Sequence, residues 1–340
     1  MKFRAFTFYT IAIIAFPLTG YAHHSMAIYD SSQQISIEGT VSRVVWRNPH
    51  VYIHLSETSE SDQIVSWEIE GFGPSSLRRL GWTRETLQVG DQLTVVGNPT
   101  RNISRRGFYP HTMHRDGIKL FEGREFFELA LSATDASGQE TTSLDGKWVT
   151  QLNFELITQF AEGAEFTNLT SAGELAVEQF NEATMNPGAN CGKVGAPFFM
   201  MVPDIKNIEM QDDIIRITGD YDGGERQIFM NLQNHNGATV SQQGHSIGRW
   251  ENNTLIIDTT HFEDDAMGNG WGLPSGSQKH LVEYLTLNDD RRSLSYRFEA
   301  TDPEFRTAPL TGDIVWKYGS DLEFSIDECD LLSARRFIEL

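Results

Sequence analysis

Cysteine is scarce in this chain, with two in 340 residues and no Cys-x-x-Cys, so neither a disulfide scaffold nor a thioredoxin-like motif is present. Basic side chains are few as well, 27 against 47 acidic ones, for a formal charge of −20. Phosphate recognition needs clustered Lys and Arg, so this balance excludes nucleic acid as a partner. The same deficit argues against an anionic membrane surface. No apolar run after residue 22 approaches the roughly 20 residues that a spanning helix needs, so no stable membrane insertion is expected there. Catalytic signatures of fixed spacing carry little here. No His-Glu-x-x-His occurs, and Gly244–Gly248 is read as strand rather than as a nucleophile elbow. Asp220-Tyr221-Asp222-Gly223-Gly224-Glu225 lacks the twelfth-position Glu of a calcium loop and reads as an acidic hairpin turn.

What is present points to a folded, exported protein. Apolar residues make up 39% and aromatics 11%, too much for a disordered chain, and the length suits two domains. Met1–Ala22 reads as a signal peptide. Lys2 and Arg4 precede the uncharged run Ala5–Pro17, and Gly20-Tyr21-Ala22 ends on small residues suited to cleavage. Export places the protein in the periplasm or outside the cell. It also turns Cys191 and Cys329 into one expected disulfide.

A Ser-, Thr-, Gly- and Asp-containing stretch at 131–143 is the expected linker between two regions. Residues 23–130 carry a net charge of −2 and six of the ten histidines; residues 131–340 carry −20. The first region alternates as strands at Ile35–Val45, Val51–Leu55 and Ile64–Glu70. A short helix follows at Pro74–Leu80, then strands at Leu93–Val96 and Phe108–Met113. That order is the order of an OB-like five-stranded barrel. The second region, 144–340, is mainly β as well. Strands are expected at Ile214–Thr218, Arg226–Asn231, Ser246–Trp250, Leu255–Thr259, Leu281–Leu287, Ser293–Ala300, Asp313–Lys317 and Leu322–Ile326. Turns at Glu251-Asn252-Asn253 and Asn288-Asp289-Asp290 predict hairpins, hence an antiparallel barrel or sandwich. A helix is expected at Gly173–Glu182, and Phe198-Phe199-Met200-Met201 as core.

Three groups of residues could carry chemistry. Cleavage after Ala22 would leave His23-His24 as the terminus, and a terminal amine with two imidazoles suits copper. His50 and His54 are the expected partners of that site, with Glu68 or Glu70 as a carboxylate; His111 and His114 are a further pair. In the second region, Gly244-His245-Ser246-Ile247-Gly248-Arg249-Trp250 supplies His245, Arg249 and Trp250 as ligand-binding candidates. Asp258, His261, Glu283 and Asp302 follow. If the strands close into a barrel, inward His245, Arg249, Asp258 and Glu283 would form an acid/base site, with His245, Asp258 and Glu283 catalytic. The readings that result are a binding protein for a small molecule, for copper or for both, a periplasmic enzyme of hydrolase or isomerase type, and a structural envelope module.

The runs His23-His24-Ser25-Met26-Ala27-Ile28-Tyr29-Asp30, Gly39-Thr40-Val41, Trp46-Arg47-Asn48-Pro49-His50, Trp67-Glu68-Ile69-Glu70, Leu80-Gly81-Trp82-Thr83, Gly90-Asp91 and Gly97-Asn98-Pro99 resemble a secreted proteobacterial family of uncharacterised function. Its members begin His-His-Ser after the signal and carry Asn-Pro-His. The resemblance spans roughly residues 22–120 and implies an exported β-domain; it brings no activity and no catalytic residues. The stretch Gly244–Glu251 is similar to segments of other uncharacterised bacterial exported proteins.

Overall fold

A computed structural model describes residues 28–58, 63–102, 104, 106–122, 139–151, 166–202, 204–270 and 272–336. The expected signal peptide, His23, His24 and most of the expected linker lie outside the described residues.

The first region is a closed five-strand barrel of OB-like topology. Strands β1 (Ile35–Val45), β2 (Tyr52–Thr58) and β3 (Ile64–Glu70) form a meander. Helix α1 (Pro74–Arg79) follows, with Pro74 in its first turn, where the missing N–H costs nothing. Strands β4 (Gln92–Pro99) and β5 (Gly107–Arg115) complete the wall, and a parallel join of β3 to β5 at Glu68↔Gly107 and Ile69↔Phe108 closes it. A further strand, β6 (Ile118–Glu122), extends β5 as a hairpin. Alternation explains the interior: Ile37, Val41, Ile53, Leu55, Trp67, Ile69, Leu93, Val95, Phe108 and Met113 are buried together.

The second region is a closed barrel of nine strands, ordered β10-β11-β12-β15-β16-β17-β7-β8-β9. These are β7 (Gly146–Gln151), β8 (Ile205–Met210), β9 (Ile214–Gly219), β10 (Glu225–Phe229), β11 (His245–Glu251), β12 (Thr254–Thr260), β15 (His280–Leu287), β16 (Ser293–Thr301) and β17 (Leu310–Tyr318). A ribbon of β13 (Asp265–Gly270) and β14 (Leu273–Ser275) lies between β12 and β15 in sequence. The barrel, not the sandwich, is therefore the arrangement. The predicted hairpins β11–β12 and β15–β16 form, with Asn252 in the left-handed region at φ +55°. One pair breaks the antiparallel expectation: β10 and β11 run parallel at Ile228↔Ser246 and Phe229↔Ile247. The chain must then cross back between them, and residues 230–244 do so. Helices α2 (Ser171–Gln179), α3 (Glu182–Met185) and α4 (Phe198–Met201) precede β8; all four residues of α4 are buried in the core, as expected.

The predicted strand Leu322–Ile326 does not form. Its carbonyls are taken by side chains instead: Arg78 donates to Ser325 O at 2.7 Å and Lys147 to Leu322 O at 2.6 Å. This segment leaves the second barrel and lies on the first. Asp327 accepts from Arg78 and, at 2.6 Å, from Arg84, and Asn48 donates its side-chain amide to Asp327 O at 3.0 Å. Helix α5 (Leu331–Arg335) then covers β2, where Tyr52 reaches Ser333 O at 3.4 Å and Arg336 pairs with Glu68. The expected disulfide between Cys191 and Cys329 is formed, with Cα atoms 5.7 Å apart at a sequence separation of 138.

Candidate functional site

The wall of the second barrel divides the residues expected to form one inward site. Along β11, Ser246 and Gly248 are buried while His245 and Ile247 are half-buried and Arg249 is exposed. Along β12 the inward set is Leu255, Ile257 and Thr259, so Asp258 faces out. On β15 the parity reverses the outcome for Glu283, which points inward between Leu281 and Leu285. His245, Arg249 and Asp258 therefore stand outside the barrel and Glu283 inside, and the expected four-residue acid/base constellation is not assembled.

Inside, Glu283 takes two hydrogen bonds from Arg226, at 2.7 and 2.8 Å, and one from Tyr296 at 2.8 Å. Arg226 also donates to Ser246 Oγ at 3.0 Å and Thr259 Oγ1 at 3.2 Å. Arg226 and Glu283 are 1% and 0% exposed, so this network is sealed core. Burial and the neighbouring Glu283 carboxylate push the Tyr296 phenol up. The same network settles Ser246. Gly244-His245-Ser246-Ile247-Gly248 does have the Gly-x-Ser-x-Gly spelling. Its serine nevertheless lies within a strand, bonded to Thr259 and Arg226, not on a strand-to-helix turn. Asp302 is likewise structural, accepting from the Gly276 amide at 2.8 Å.

Outside, the four histidines of the second region gather around Asp258. The crossover between β10 and β11 carries His235 over the wall, where its Nε2 lies 2.9 Å from Asp258 Oδ1 and its Nδ1 lies 2.8 Å from His245 Nδ1. His280 Nε2 is 3.0 Å from Asp258 Oδ2. His261, at the end of β12 with φ +59°, stacks 6.0 Å from His235 and meets His245 at 6.3 Å between ring centres. Burial pushes the Asp258 carboxyl up, but hydrogen bonds from His280 and His235 outweigh it and hold the group below its usual range. Burial, then His235 and His261, hold the His245 imidazole below its usual range.

His245 also stacks on Phe229 at 5.1 Å and an interplanar angle of 21°. Phe229 borders a recess of about 380 Å³ on the outer face of β10, lined also by Lys193, Glu225, Gln227 and the segment Ser241–Gly244. Arg249 and Trp250 occupy the far end of β11; Arg249 pairs with Glu251 at 3.0 Å and Trp250 is 43% exposed. They are not brought to this recess. Asp258 and His261 were within reach of sequence reasoning. His235 and His280 were not singled out, although the count of only four histidines after residue 131 was a signal.

In the first barrel the expected metal partners are apart. His50 precedes β2, and its Nδ1 donates to Gly71 O at 3.0 Å, so a period of two does not carry it to the face of His54. His54 lies opposite Glu68, 3.9 Å away, with a buried Nε2 that has no hydrogen-bond partner among the described residues. His111 bonds Asn98, and His114 stands opposite Thr94 on β5. Glu70 accepts from Tyr29 at 2.6 Å, and burial pushes its carboxyl up. Among the described residues, no three or more His, Cys, Asp or Glu side chains are already arranged to hold a metal ion.

Burial, then Arg336 and Arg43, hold the His54 imidazole below its ordinary range. The unfolded chain therefore takes up this proton more readily than the folded one, and stability drains away as pH falls below about 6.5. His54→Asn is expected to flatten that slope. Urea midpoints at pH 7.5 and 5.5 check this; an equal acid loss in both proteins would exclude His54 as the cause.

Comparison with known proteins adds little chemistry. Residues 12–109 match the model of a family of unknown function, DUF6152, which covers under a third of the chain. No curated protein matches. Among solved structures, the crystal structure of the S. pombe Stn1-ten1 complex shares 8% identity over 28% of this chain and 64% of that one, with a TM-score of 0.19.

Proposed function

We propose that this chain is an exported binding protein that takes a small planar molecule into the recess on the outer face of the second barrel. One observation carries the reading: the polar groups inside the barrel are sealed in packing, whereas the recess is open and bordered by the Phe229–His245 stack. Phe229 offers an apolar wall. Gln227, Gln243 and Ser241 offer donors and acceptors, and Lys193 and Glu225 offer one charge of each sign. The disulfide suits an oxidising compartment, and no described helix is long and apolar enough to cross a membrane. Binding, not turnover, is the function this arrangement supports.

Native mass spectrometry of protein purified from the periplasm reads out any retained molecule. Phe229→Ala is expected to lower its occupancy about tenfold, since one aromatic contact of this kind contributes about 1 kcal/mol or more. A retained molecule indifferent to Phe229→Ala would place the site elsewhere. Copper at the processed terminus is a second reading. The Tyr29 hydroxyl donates to Glu70, and His50 Nδ1 lies 3.4 Å from the same carboxylate, so the side chain of one of the first described residues reaches the neighbourhood of His50.

A further inference from the structure

We infer that His235, His245 and His261 form a binding site for a late first-row divalent metal ion, zinc or copper(II), oriented by Asp258. The strongest observation is the 2.8 Å approach of two ring nitrogens, His235 Nδ1 and His245 Nδ1. Each neutral imidazole has one lone pair and one N–H. In the neutral tautomer that donates its Nε2 proton to Asp258 Oδ1, the Nδ1 of His235 is a bare acceptor. With that tautomer, the His245 Nδ1 proton is the one shared between the two nitrogens. A metal ion takes that proton's place. Tetrahedral ligands at 2.0–2.1 Å from zinc stand about 3.4 Å apart, so the rings need to part by about half an ångström.

The third ring is close behind. Imidazoles sharing one tetrahedral metal have centres about 5 Å apart; the three pairs here are 5.1, 6.0 and 6.3 Å apart. His261 Nδ1 lies 2.9 Å from Thr260 Oγ1. When it donates there, Nε2 is left free to turn toward the metal. His261 holds a left-handed backbone, φ +59°, which His tolerates better than most residues. Asp258 supplies the remaining ingredient, a carboxylate behind a ligating imidazole, and it is itself held from the other side by His280 at 3.0 Å. Three imidazoles leave the fourth position open on a face that water reaches, since the His280 and Asp258 side chains are 44% and 35% exposed. Nitrogen ligands of this kind suit zinc and copper(II) and not calcium or magnesium.

The site stands apart from the terminal copper reading, and the recess need not be filled for it to form. The test is calorimetric titration of the full metal-free chain with Zn(II) and separately with Cu(II). Expected are one ion per chain at this cluster, at least a 100-fold loss in affinity with His235→Asn or His245→Asn, and a 10–100-fold loss with Asp258→Asn, which removes no ligand. A double variant His50→Asn, His54→Asn keeps this site intact, as does a chain with one residue added before His23. Copper that is lost only in those last two proteins belongs to the terminus and counts against this inference. Circular dichroism and the nitrogen hyperfine pattern of bound Cu(II) separate a lost site from a lost fold. Titrations unchanged by His235→Asn and His245→Asn, or no stoichiometric binding to the wild type, overturn it.

Discussion

Replacing Glu283 by alanine is expected to destabilise the protein by about 3–5 kcal/mol, as removal of one partner from a buried ion pair does. The reason lies in what is left behind. Arg226 is 1% exposed and directs two of its hydrogen bonds to Glu283. Without that carboxylate, its guanidinium keeps only Ser246 Oγ and Thr259 Oγ1 as acceptors inside a wall of Leu, Ile and Phe. Tyr296 loses the acceptor for its hydroxyl at the same time. Removing both charges is a different experiment. Arg226→Met with Glu283→Leu takes away the stranded charge and is expected to recover most of the loss. Urea unfolding followed by the fluorescence of the buried Trp148 and Trp316 reads both variants. A loss under 1 kcal/mol for the single change would mean that water reaches the pair. Metal titration of folded Glu283→Ala, done well below its midpoint, is expected to match the wild type, because the histidines stand on the other side of the wall.

The contrast between Glu283 and Asp258 shows how far the sequence was legible. Period-two alternation located both strands and their hairpin partners. It also put His245 and Arg249 on one face of β11 and Ser246 on the other. Alternation does not say which face is the inside; that is decided by the pairing register. Asp258 stands opposite Ile247 and Val282, and Glu283 opposite Ile257, so one-residue steps separate solvent from core. His235 was harder still, because it sits in an irregular crossover forced by the parallel β10–β11 join, and no local pattern announces a parallel pair. β7 and β8 were missed because Lys147, Lys206, Asn207 and Glu209 dilute their apolar signal. Lys206 is buried all the same, because Asp204 lies beside it as an ion-pair partner. Leu322–Ile326 failed in the opposite sense. Its alternation is genuine, but Arg78 and Lys147 claim its carbonyls and no strand edge receives it.

Breaking the disulfide is expected to cost about 5 kcal/mol by the chain-entropy relation, because Cys191 and Cys329 close a loop of 138 residues. The effect should exceed that of a tether within one barrel, because of where Cys329 lies. On one side Asp327 accepts from Arg78 and Arg84; on the other Asp330 donates its amide to Asn48 O at 3.0 Å. The bond therefore ties the Cys191 loop of the second region to a terminal segment that is seated on the first barrel, and the polar contacts gain from being pre-positioned. Two consequences follow. Cys191→Ala with Cys329→Ala should lower the unfolding temperature by on the order of 10 °C or more, and reductant should do the same to the wild type alone. Asp327→Ala should cost less in the disulfide-free protein than in the wild type, with a coupling of about 0.5–3 kcal/mol, since the same segment is already loosened. If the two losses simply add, the segment is held at Asp327 and Cys329 independently. If reductant removes the bond by mass yet leaves the melting curve in place, the polar contacts of Asn48, Arg78 and Arg84 suffice to keep the two barrels joined.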